Sequence, residues 1–393
     1  MNFRQKQTCS ACYGTRLDEI VDLPNFPLTG IYVEKRDENH RGIEQGFNVC
    51  ADCGHGQLRN AIDPAVVYDS TYTHRGAGSP IASGGNEFFA QFLDSLTVGK
   101  TFDRVVDVGC SDLYLLRQIK HKARERYGID PVWIGQDTSE VEDINVIGAF
   151  VEDVDFDSAL SGAPDLVVSA HTFEHVDEPR SQLERLFEIA ADGALFVIEV
   201  PGFDSMLRLA RYDQVFHQHI NHFSVASMRN MIHSMGGTYL THTFNYGFWG
   251  GTMLMAFTKN SPGAASEKDY SHPSAEYASS RFGVFKRQLG ELDSYIDNIS
   301  DQIIFGFGAA QMLPALAYHM DSDLSFLESV LDDNPARADL TWPDLGVRIH
   351  EPDGDHDYSE SNVVITALDS TRPILRRCIE LKFRQILVPL QSI

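Results

Sequence analysis

Two pairs of cysteines near the start of the chain constrain its fold more than any other feature. Each pair has the spacing Cys-x-x-Cys, and thirty-seven residues separate the pairs. Each turn presents two thiolates, and two such turns complete the tetrahedral sulfur site that Zn²⁺ prefers. A redox pair needs only one such turn, and six cysteines in 393 residues argue against a disulfide-rich scaffold. The sequence therefore predicts a zinc site with four ligands, Cys9, Cys12, Cys50 and Cys53.

The charge of the chain argues against nucleic acid as a ligand. There are 32 basic and 56 acidic residues, which give a formal net charge of -24. A nucleic-acid ligand requires a basic surface that releases counterions. Near the cysteines, basic residues such as Arg4 and Lys35 are interleaved with acidic ones such as Asp18 and Glu34. We therefore expect the zinc to be structural, in a small lobe without apolar mass for its own core.

Other global features indicate a cytoplasmic protein. No apolar run reaches eighteen residues, and the N-terminus has no charged and apolar leader, so we expect no membrane span and no secretion. Free thiols at Cys110 and Cys378 are typical of a reducing compartment.

Changes in pattern divide the chain into three units. Residues 1–75 hold the cysteines and many turn formers, and glycines near 76–85 mark a loop. Alternating strand and helix patterns in 76–260 indicate a parallel sheet covered by helices. A polar connection leads into a third unit, 276–393, where a helical pattern precedes a strand and a glycine turn at 303–308. We therefore expect a second α/β lobe there.

The central unit places polar residues after successive predicted strands. A glycine after the strand 105–108 allows close approach of a ligand, and the next helix offers free N–H groups. The segment 132–139 is interpreted as a strand whose final carboxylate accepts hydrogen bonds from ribose hydroxyls. Strand ends at 149–153 and 165–169 add further polar groups. The candidate cofactor-binding residues are Asp107, Gly109, Ser111, Asp137, Glu152, Asp153 and His171.

This succession of segments resembles the class I S-adenosylmethionine-dependent methyltransferases. The turn that begins at Asp107 is similar to the family's Asp-x-Gly-Cys-x-x-Gly, although Leu113 stands at the final glycine. Glu174-His175-Val176 is similar to the segment after the family's fourth strand. The resemblance implies a seven-stranded Rossmann-like α/β domain with S-adenosylmethionine across the strand ends.

The three-unit order resembles the zinc-containing nucleotide-sugar C-methyltransferases of deoxysugar biosynthesis. Similar segments lie at 68–72, 212–224, 250–252, 305–310 and 331–335. The resemblance implies a nucleotide-linked keto sugar as substrate and methylation through an enolate. It also implies His219 as the base, with Gln218 and Tyr72 as further catalytic residues. A neutral imidazole suits a base near pH 7.

Two departures from that family leave alternatives open. Gln218 stands at an acidic position and is unable to exchange a proton, and Phe216 replaces a tyrosine. An oxygen acceptor, such as a sugar hydroxyl, is therefore an alternative, as is a non-catalytic zinc-containing binding or assembly protein. The histidines at 171 and 175, and those at 217, 219 and 222, are also possible metal ligands. We favour contacts with cofactor or substrate for both groups, because no carboxylate partner for the second group is evident in the sequence.

Overall fold

A computed structural model describes residues 3–37, 39–62, 80–136, 139–247, 250–259 and 271–390. The predicted site residues Tyr72 and Asp137 lie outside these ranges. Within the described ranges, no helix is both long and apolar enough to cross a lipid bilayer.

The N-terminal lobe consists of antiparallel strands. These are β1 Phe3–Gln5, β2 Leu17–Phe26, β3 Ile43–Cys50, β4 Gly56–Leu58 and β5 Asn60–Ile62. Strand β3 lies between β2 and β4, and β1 pairs with β5. Strand β3 ends at Cys50, so the sheet itself carries the second cysteine pair to its place.

The central unit alternates strands and helices, as its sequence pattern predicts. Its helices are α1 Pro80–Leu96, α2 Tyr114–Gln118, α3 Phe156–Ala159, α4 Pro179–Ile189, α5 Phe203–Leu209 and α6 Val225–Ser234. Its strands are β6 Phe102–Val108, β7 Ala123–Ile129, β8 Glu140–Val141, β9 Ile144–Ile147, β10 Leu166–Ala170, β11 Leu195–Pro201, β12 Asn221–His222, β13 Gly237–Asn245 and β14 Thr252–Lys259. The glycine-rich segment expected to be a loop, residues 83–85, lies inside α1, which begins at Pro80. Proline is favoured at the first helical position because its missing N–H needs no partner there.

The large central sheet has the strand order β13-β14-β11-β10-β6-β7-β9-β8. Strands β6, β7, β9, β10 and β11 are parallel, and β14 is antiparallel to both of its neighbours. The α/β class is confirmed, but the described sheet has eight strands rather than seven. The additional strand, β8, is only two residues long and joins β9 through Glu142 and Asp143. Both turn residues have positive φ, the geometry of a tight hairpin turn.

The C-terminal lobe contains a second, wholly parallel sheet. Its elements are α7 Ala275–Asn298, β15 Ile304–Phe307, α8 Leu313–His319, β16 Val330–Leu331, β17 Ile349–His350, β18 Asn362–Ile365, α9 Thr371–Glu380 and β19 Gln385–Leu387. The strand order is β17-β16-β15-β18-β19. This agrees with the α/β lobe expected from the sequence.

One hydrophobic core joins all three lobes. Phe47 of the N-terminal sheet packs in the same cluster as Met206 of α5, Phe285 of α7 and Leu313 of α8. As expected, the described residues of the cysteine-bearing lobe form no separate large core. Its position depends on the two α/β units, because burial of apolar surface is the main favourable term in folding.

Candidate active site and zinc site

Four cysteine thiols converge in the N-terminal lobe. The Sγ atom of Cys9 lies 3.6 Å from that of Cys53, and the Sγ atom of Cys12 lies 3.6 Å from that of Cys50. All four sulfurs lie within 4.8 Å of one another. A tetrahedral zinc ion with bonds of about 2.3 Å holds its sulfur ligands about 3.8 Å apart. The four thiols therefore fit Zn²⁺.

Backbone hydrogen bonds hold the two cysteine turns in shape. The N–H of Ala11 points at the Sγ atom of Cys9, 3.4 Å away, an arrangement that stabilises a thiolate. In the second turn the N–H of Gly54 donates to the carbonyl of Cys50 at 2.9 Å, and the N–H of Cys50 donates to the carbonyl of His55 at 2.8 Å. Gly54 has φ +69°, a conformation that favours glycine.

A hydrogen-bonded junction connects the second cysteine turn to the central unit. Strand β4 follows that turn directly and pairs with β12 of the central unit. Nε2 of buried His55 lies 3.3 Å from Oδ1 of Asn221. The amide nitrogen of Asn221 donates to the carbonyl of Val176 at 2.6 Å and to that of Phe173 at 3.4 Å. The side chain of Asn221 thus links His55, next to the second cysteine turn, with the loop after β10.

The same junction brings together Glu174, His175 and His219. Their ligand atoms lie within 4.8 Å of one another, and the two imidazole centroids are 5.0 Å apart. The N–H of Asn221 donates to the carbonyl of Glu174 at 3.0 Å. Nδ1 of His175 lies 2.8 Å from the carbonyl of Gln218. The loop 171–176 and the segment 217–222 are therefore joined on both sides of His219.

Buried carboxylates lie at the carboxyl ends of the central strands. Asp107 in β6 is 1% exposed, and its Oδ1 has no hydrogen-bond partner among the described residues. Burial, with a smaller effect of Asp130, raises the pKa of Asp107 to about 8. Glu199 in β11 accepts a hydrogen bond from Oγ1 of Thr252 at 2.5 Å, and burial raises its pKa.

His171 lies between two buried acids, Glu174 and Glu199. Its Nδ1 is 3.2 Å from Oε1 of Glu174, and its Nε2 is 3.9 Å from Oε1 of Glu199. Burial alone lowers the pKa of His171, but the hydrogen bond to Glu174 and the charge of Glu199 outweigh that effect and raise it. The histidine therefore offsets part of the negative charge at this edge.

The turn after β6 is fixed by close packing. Gly109 has φ +81°, and a Cβ atom there would lie 1.7 Å from Oγ1 of Thr172. The N–H of Ser111 donates to Oδ2 of Asp130 at 2.9 Å, and the indole N–H of Trp133 donates to the carbonyl of Ser111 at 2.7 Å. These contacts join the ends of β6 and β7. We call the whole group the strand-edge site; its residues are Asp107, Gly109, Ser111, Asp130, His171, Glu174, His175, Glu199 and His219.

Residues 81–242, which include the strand-edge site, match the family model of a methyltransferase domain. The chain contains a methyltransferase domain. Residues 9–68, which include all four cysteines, match the model of a zinc binding domain.

Known methyltransferases are similar to this chain over part of its length. C-methyltransferase NovU of Streptomyces niveus is 26% identical over 241 residues, a match that spans 58% of this chain and 55% of NovU. The chain thus matches about half the length of that relative. The N-methyltransferase NodS of Bradyrhizobium japonicum, solved with S-adenosyl-L-homocysteine, is 13% identical with a TM-score of 0.37, over 50% of this chain and 95% of NodS. The methyltransferase domain belongs to the S-adenosylmethionine-dependent class.

The strand-edge site fits S-adenosylmethionine. That cofactor carries a positive sulfonium and ribose hydroxyl donors, and this edge offers buried carboxylates. The Oδ1 atom of Asp107, without a partner among the residues described, is a buried acceptor available to a ligand or ordered water. Asp130 directly follows β7, the position from which an acidic side chain contacts ribose in dinucleotide folds. S-adenosylmethionine and zinc are thus the two cofactors that the domains and their residues accommodate.

Two strand boundaries expected from the sequence are wrong. The described part of 132–139 holds a 3-10 turn, Pro131–Trp133, and the strand is instead β7, Ala123–Ile129. The first half of β7, Ala-Arg-Glu-Arg, is charged and does not follow the apolar pattern of a buried strand. Its second half, Tyr-Gly-Ile before Asp130, does indicate a strand. Asp130 is therefore the carboxylate that directly follows the second strand, the position expected of Asp137. Likewise β9 ends at Ile147, so Glu152 and Asp153 lie exposed on a later 3-10 turn.

Gln218 makes a connection between lobes. It is buried, its Nε2 donates to the carbonyl of Thr29 at 2.9 Å, and its Oε1 accepts from Oγ1 of Thr29 at 2.8 Å. Its amide therefore holds the segment before His219 against the N-terminal lobe. Phe216 packs against His219, with ring centroids 4.0 Å apart and ring planes tilted by 35°.

Proposed function

We propose that this chain transfers a methyl group from S-adenosylmethionine to a carbon next to the carbonyl of a nucleotide-linked keto sugar. The observation that carries the proposal is the placement of His219, a half-buried imidazole, beside His175 in the strand-edge site. The likeness to a C-methyltransferase supports carbon as the acceptor. The segment 212–224, which carries His219, is also among those that resemble the nucleotide-sugar enzymes.

His219 has the role of general base. It accepts the proton from the carbon next to the sugar carbonyl, and the electron pair left behind is delocalised onto the carbonyl oxygen. S-adenosylmethionine, when bound, supplies the methyl group, which the sugar carbon receives while the sulfur keeps the former bonding pair. The imidazolium then returns its proton to water. Imidazole suits this task because its pKa lies near the working pH.

The surroundings of His219 support this role. Gln218 and Asn221 hold both flanks of the residue through their contacts with Thr29 and Val176. A base fixed in this way loses little conformational freedom when the substrate binds. The aromatic face of Phe216 shields one side of the ring but supplies no hydroxyl.

Asp107, Gly109, Ser111 and Asp130 are the residues proposed to hold the cofactor, with Glu152 and Asp153 as contacts for its adenine. Replacing Asp130 by Asn is expected to weaken S-adenosylmethionine binding about tenfold, because a hydrogen bond to a charged acceptor is lost. Calorimetric titration measures this change, and Asp157→Asn, an exposed residue of α3, is the matched control. Equal affinities for both variants and the unchanged chain would refute the cofactor assignment.

A substrate panel tests the reaction itself. The chain is incubated with methyl-labelled S-adenosylmethionine and matched pairs of nucleotide sugars that differ only in having a keto or a hydroxyl group. Label in a carbon-bound methyl group, from the keto member alone, is the expected result. Methylation of the hydroxyl member would establish an oxygen acceptor instead, and no transfer to any sugar would favour the binding-protein alternative.

A further inference from the structure

We propose that Glu174, His175 and His219 form a second metal site, which binds a divalent transition-metal ion such as Zn²⁺ or Co²⁺. The three side chains come from two segments forty-odd residues apart, and the β4–β12 pairing helps to hold the second of them in place. The four-cysteine site lies in the zinc binding domain and has none of these ligands.

The carboxylate of Glu174 is the main argument for a cation. The side chain is fully buried, and Oε2 has no hydrogen-bond partner within the described ranges. A buried carboxylate is costly, His171 offsets only part of its charge, and a metal ion bound to the second oxygen offsets more of it. Oε1 is 3.2 Å from His171, so one oxygen is already held while the other is available.

The hydrogen bond of His175 prepares its second nitrogen for a metal. A carbonyl oxygen only accepts, so Nδ1 must carry the proton in its 2.8 Å contact with Gln218. In the neutral ring Nε2 then bears the lone pair, and it faces Oε1 of Glu174 at 3.8 Å. Metal-ligating histidines commonly donate their other N–H to a backbone carbonyl in this way.

The distances and the ligand types favour a transition metal. Two imidazole nitrogens and one carboxylate oxygen suit Zn²⁺, Co²⁺ or Ni²⁺ better than Mg²⁺, which prefers oxygen ligands. Metal bonds of about 2.1 Å hold ligands about 3.4 Å apart in a tetrahedral site. Because the ligand atoms here are up to 4.8 Å apart, the side chains must draw together by about 1 Å. Three protein ligands leave a fourth position open to water or substrate.

Occupancy of this site has a consequence that rests on the proposed function. An imidazole with one nitrogen bound to metal and the other protonated has no lone pair to accept a proton. A metal ion at His219 therefore removes the base, and methyl transfer stops until the ion leaves. The site makes the enzyme sensitive to free transition metals while its four-cysteine zinc remains in place.

Cobalt titration of the zinc-loaded full chain tests the site directly. Unchanged protein is expected to bind one equivalent of Co²⁺ with a visible absorption band but no thiolate charge-transfer band, while its zinc content stays at one equivalent. Glu174→Gln and His175→Ala are each expected to weaken cobalt binding by at least about tenfold. His350→Ala, an exposed histidine on β17 of the C-terminal sheet, is the control and should bind as the unchanged chain does.

The two parts of the proposal fail separately. No cobalt uptake beyond the zinc equivalent, or equal uptake by both ligand variants and the control, would overturn the metal site. Retained zinc together with a cooperative unfolding transition shows that a variant is folded in both the N-terminal lobe and the central unit, so a loss of cobalt is then specific. Bound cobalt without loss of methyl transfer would overturn the inhibition. A chain that methylates no sugar in any condition would refute the proposed function, yet the cobalt result would still stand.

Discussion

The four-cysteine site and the strand-edge site are connected by the pairing of β4 with β12. They differ in whether their polar side-chain atoms have partners. The cysteines form a closed group in which sulfurs pair at 3.6 Å and the backbone supports each turn. The strand-edge site keeps Asp107 and Glu174 buried with a carboxylate oxygen unpartnered among the described residues. A complete set of four protein ligands is typical of a structural metal site. Buried acids with shifted pKa values are typical of sites that bind ligands and catalyse reactions.

The four-cysteine site stabilises the fold, whereas the strand-edge site destabilises it when no ligand is bound. Zinc binding stabilises the N-terminal lobe, whose largest apolar cluster is part of the shared core. Buried acids at the strand edge destabilise the ligand-free chain, and binding of a cofactor offsets that cost. Strand β12 and Asn221 connect the two regions, so stability in one supports geometry in the other.

Removing one ligand from the four-cysteine site should have the largest effect on stability. Cys50→Ser removes one zinc ligand at the end of β3, and we expect loss of the metal and destabilisation by more than about 4 kcal/mol. Methyl transfer should be lost with it, because β4 no longer holds β12. Zinc content and thermal unfolding measure the two effects.

A buried cysteine outside the cluster provides the control for that change. Cys378→Ser, in α9, also replaces a fully buried thiol but should keep one equivalent of zinc. If Cys50→Ser kept both its zinc and the melting temperature of the control, the structural role of the cluster would be refuted.

Replacing His219 in the strand-edge site should change the rate of methyl transfer rather than the stability of the fold. His219→Ala is expected to lower the rate of methyl transfer by about 10² to 10⁴, the usual contribution of a general base, with little change in unfolding. His222, three residues later, is fully buried against Phe47, with ring centroids 5.0 Å apart. Its replacement by Ala should cost about 2 kcal/mol of stability. Steady-state kinetics with unfolding curves separate the two, and a His219→Ala rate within tenfold of normal contradicts the base.

The same comparison explains how far the sequence alone predicted this molecule. The cysteine site was predictable because two short spacings determine it, and β10 and β11 because fully buried parallel strands appear as apolar runs. Strand β7 was not predicted from the sequence because the first half of the strand is charged and partly exposed. The grouping of Glu174 with His175 and His219 depends on β4–β12 pairing between distant segments, which no local pattern encodes. The link from Gln218 to Thr29 is hidden for the same reason.

Cutting the connection between the two sites should give an intermediate effect. Asn221→Ala leaves the carbonyl of Val176 and the ring N–H of His55 without their partner, and we expect a loss of about 3 kcal/mol. The zinc should remain, while methyl transfer falls because His219 is held on one side only. Asn362→Ala, a buried asparagine of β18, is the control that should lose stability without affecting methyl transfer. Equal rates in the two variants would show that the sites are independent.

The smallest effect should appear as a pH dependence at the strand edge. In the folded chain the pKa of Asp107 is about 8, raised by burial and by Asp130, whereas an unfolded aspartate titrates near pH 3.9. Between these values the folded chain holds a proton that the unfolded chain has released, so stability falls as pH rises from about 4 to about 8. Asp107→Asn removes this titration and should flatten the fall. Unfolding of the cofactor-free chain at pH 5 and pH 8 measures it, with Asp157→Asn as the exposed control. Parallel stability curves for Asp107→Asn and the unchanged chain would show that the carboxyl group of Asp107 does not have a raised pKa. Glu174 would then be the remaining buried acid that distinguishes the strand-edge site from the four-cysteine site.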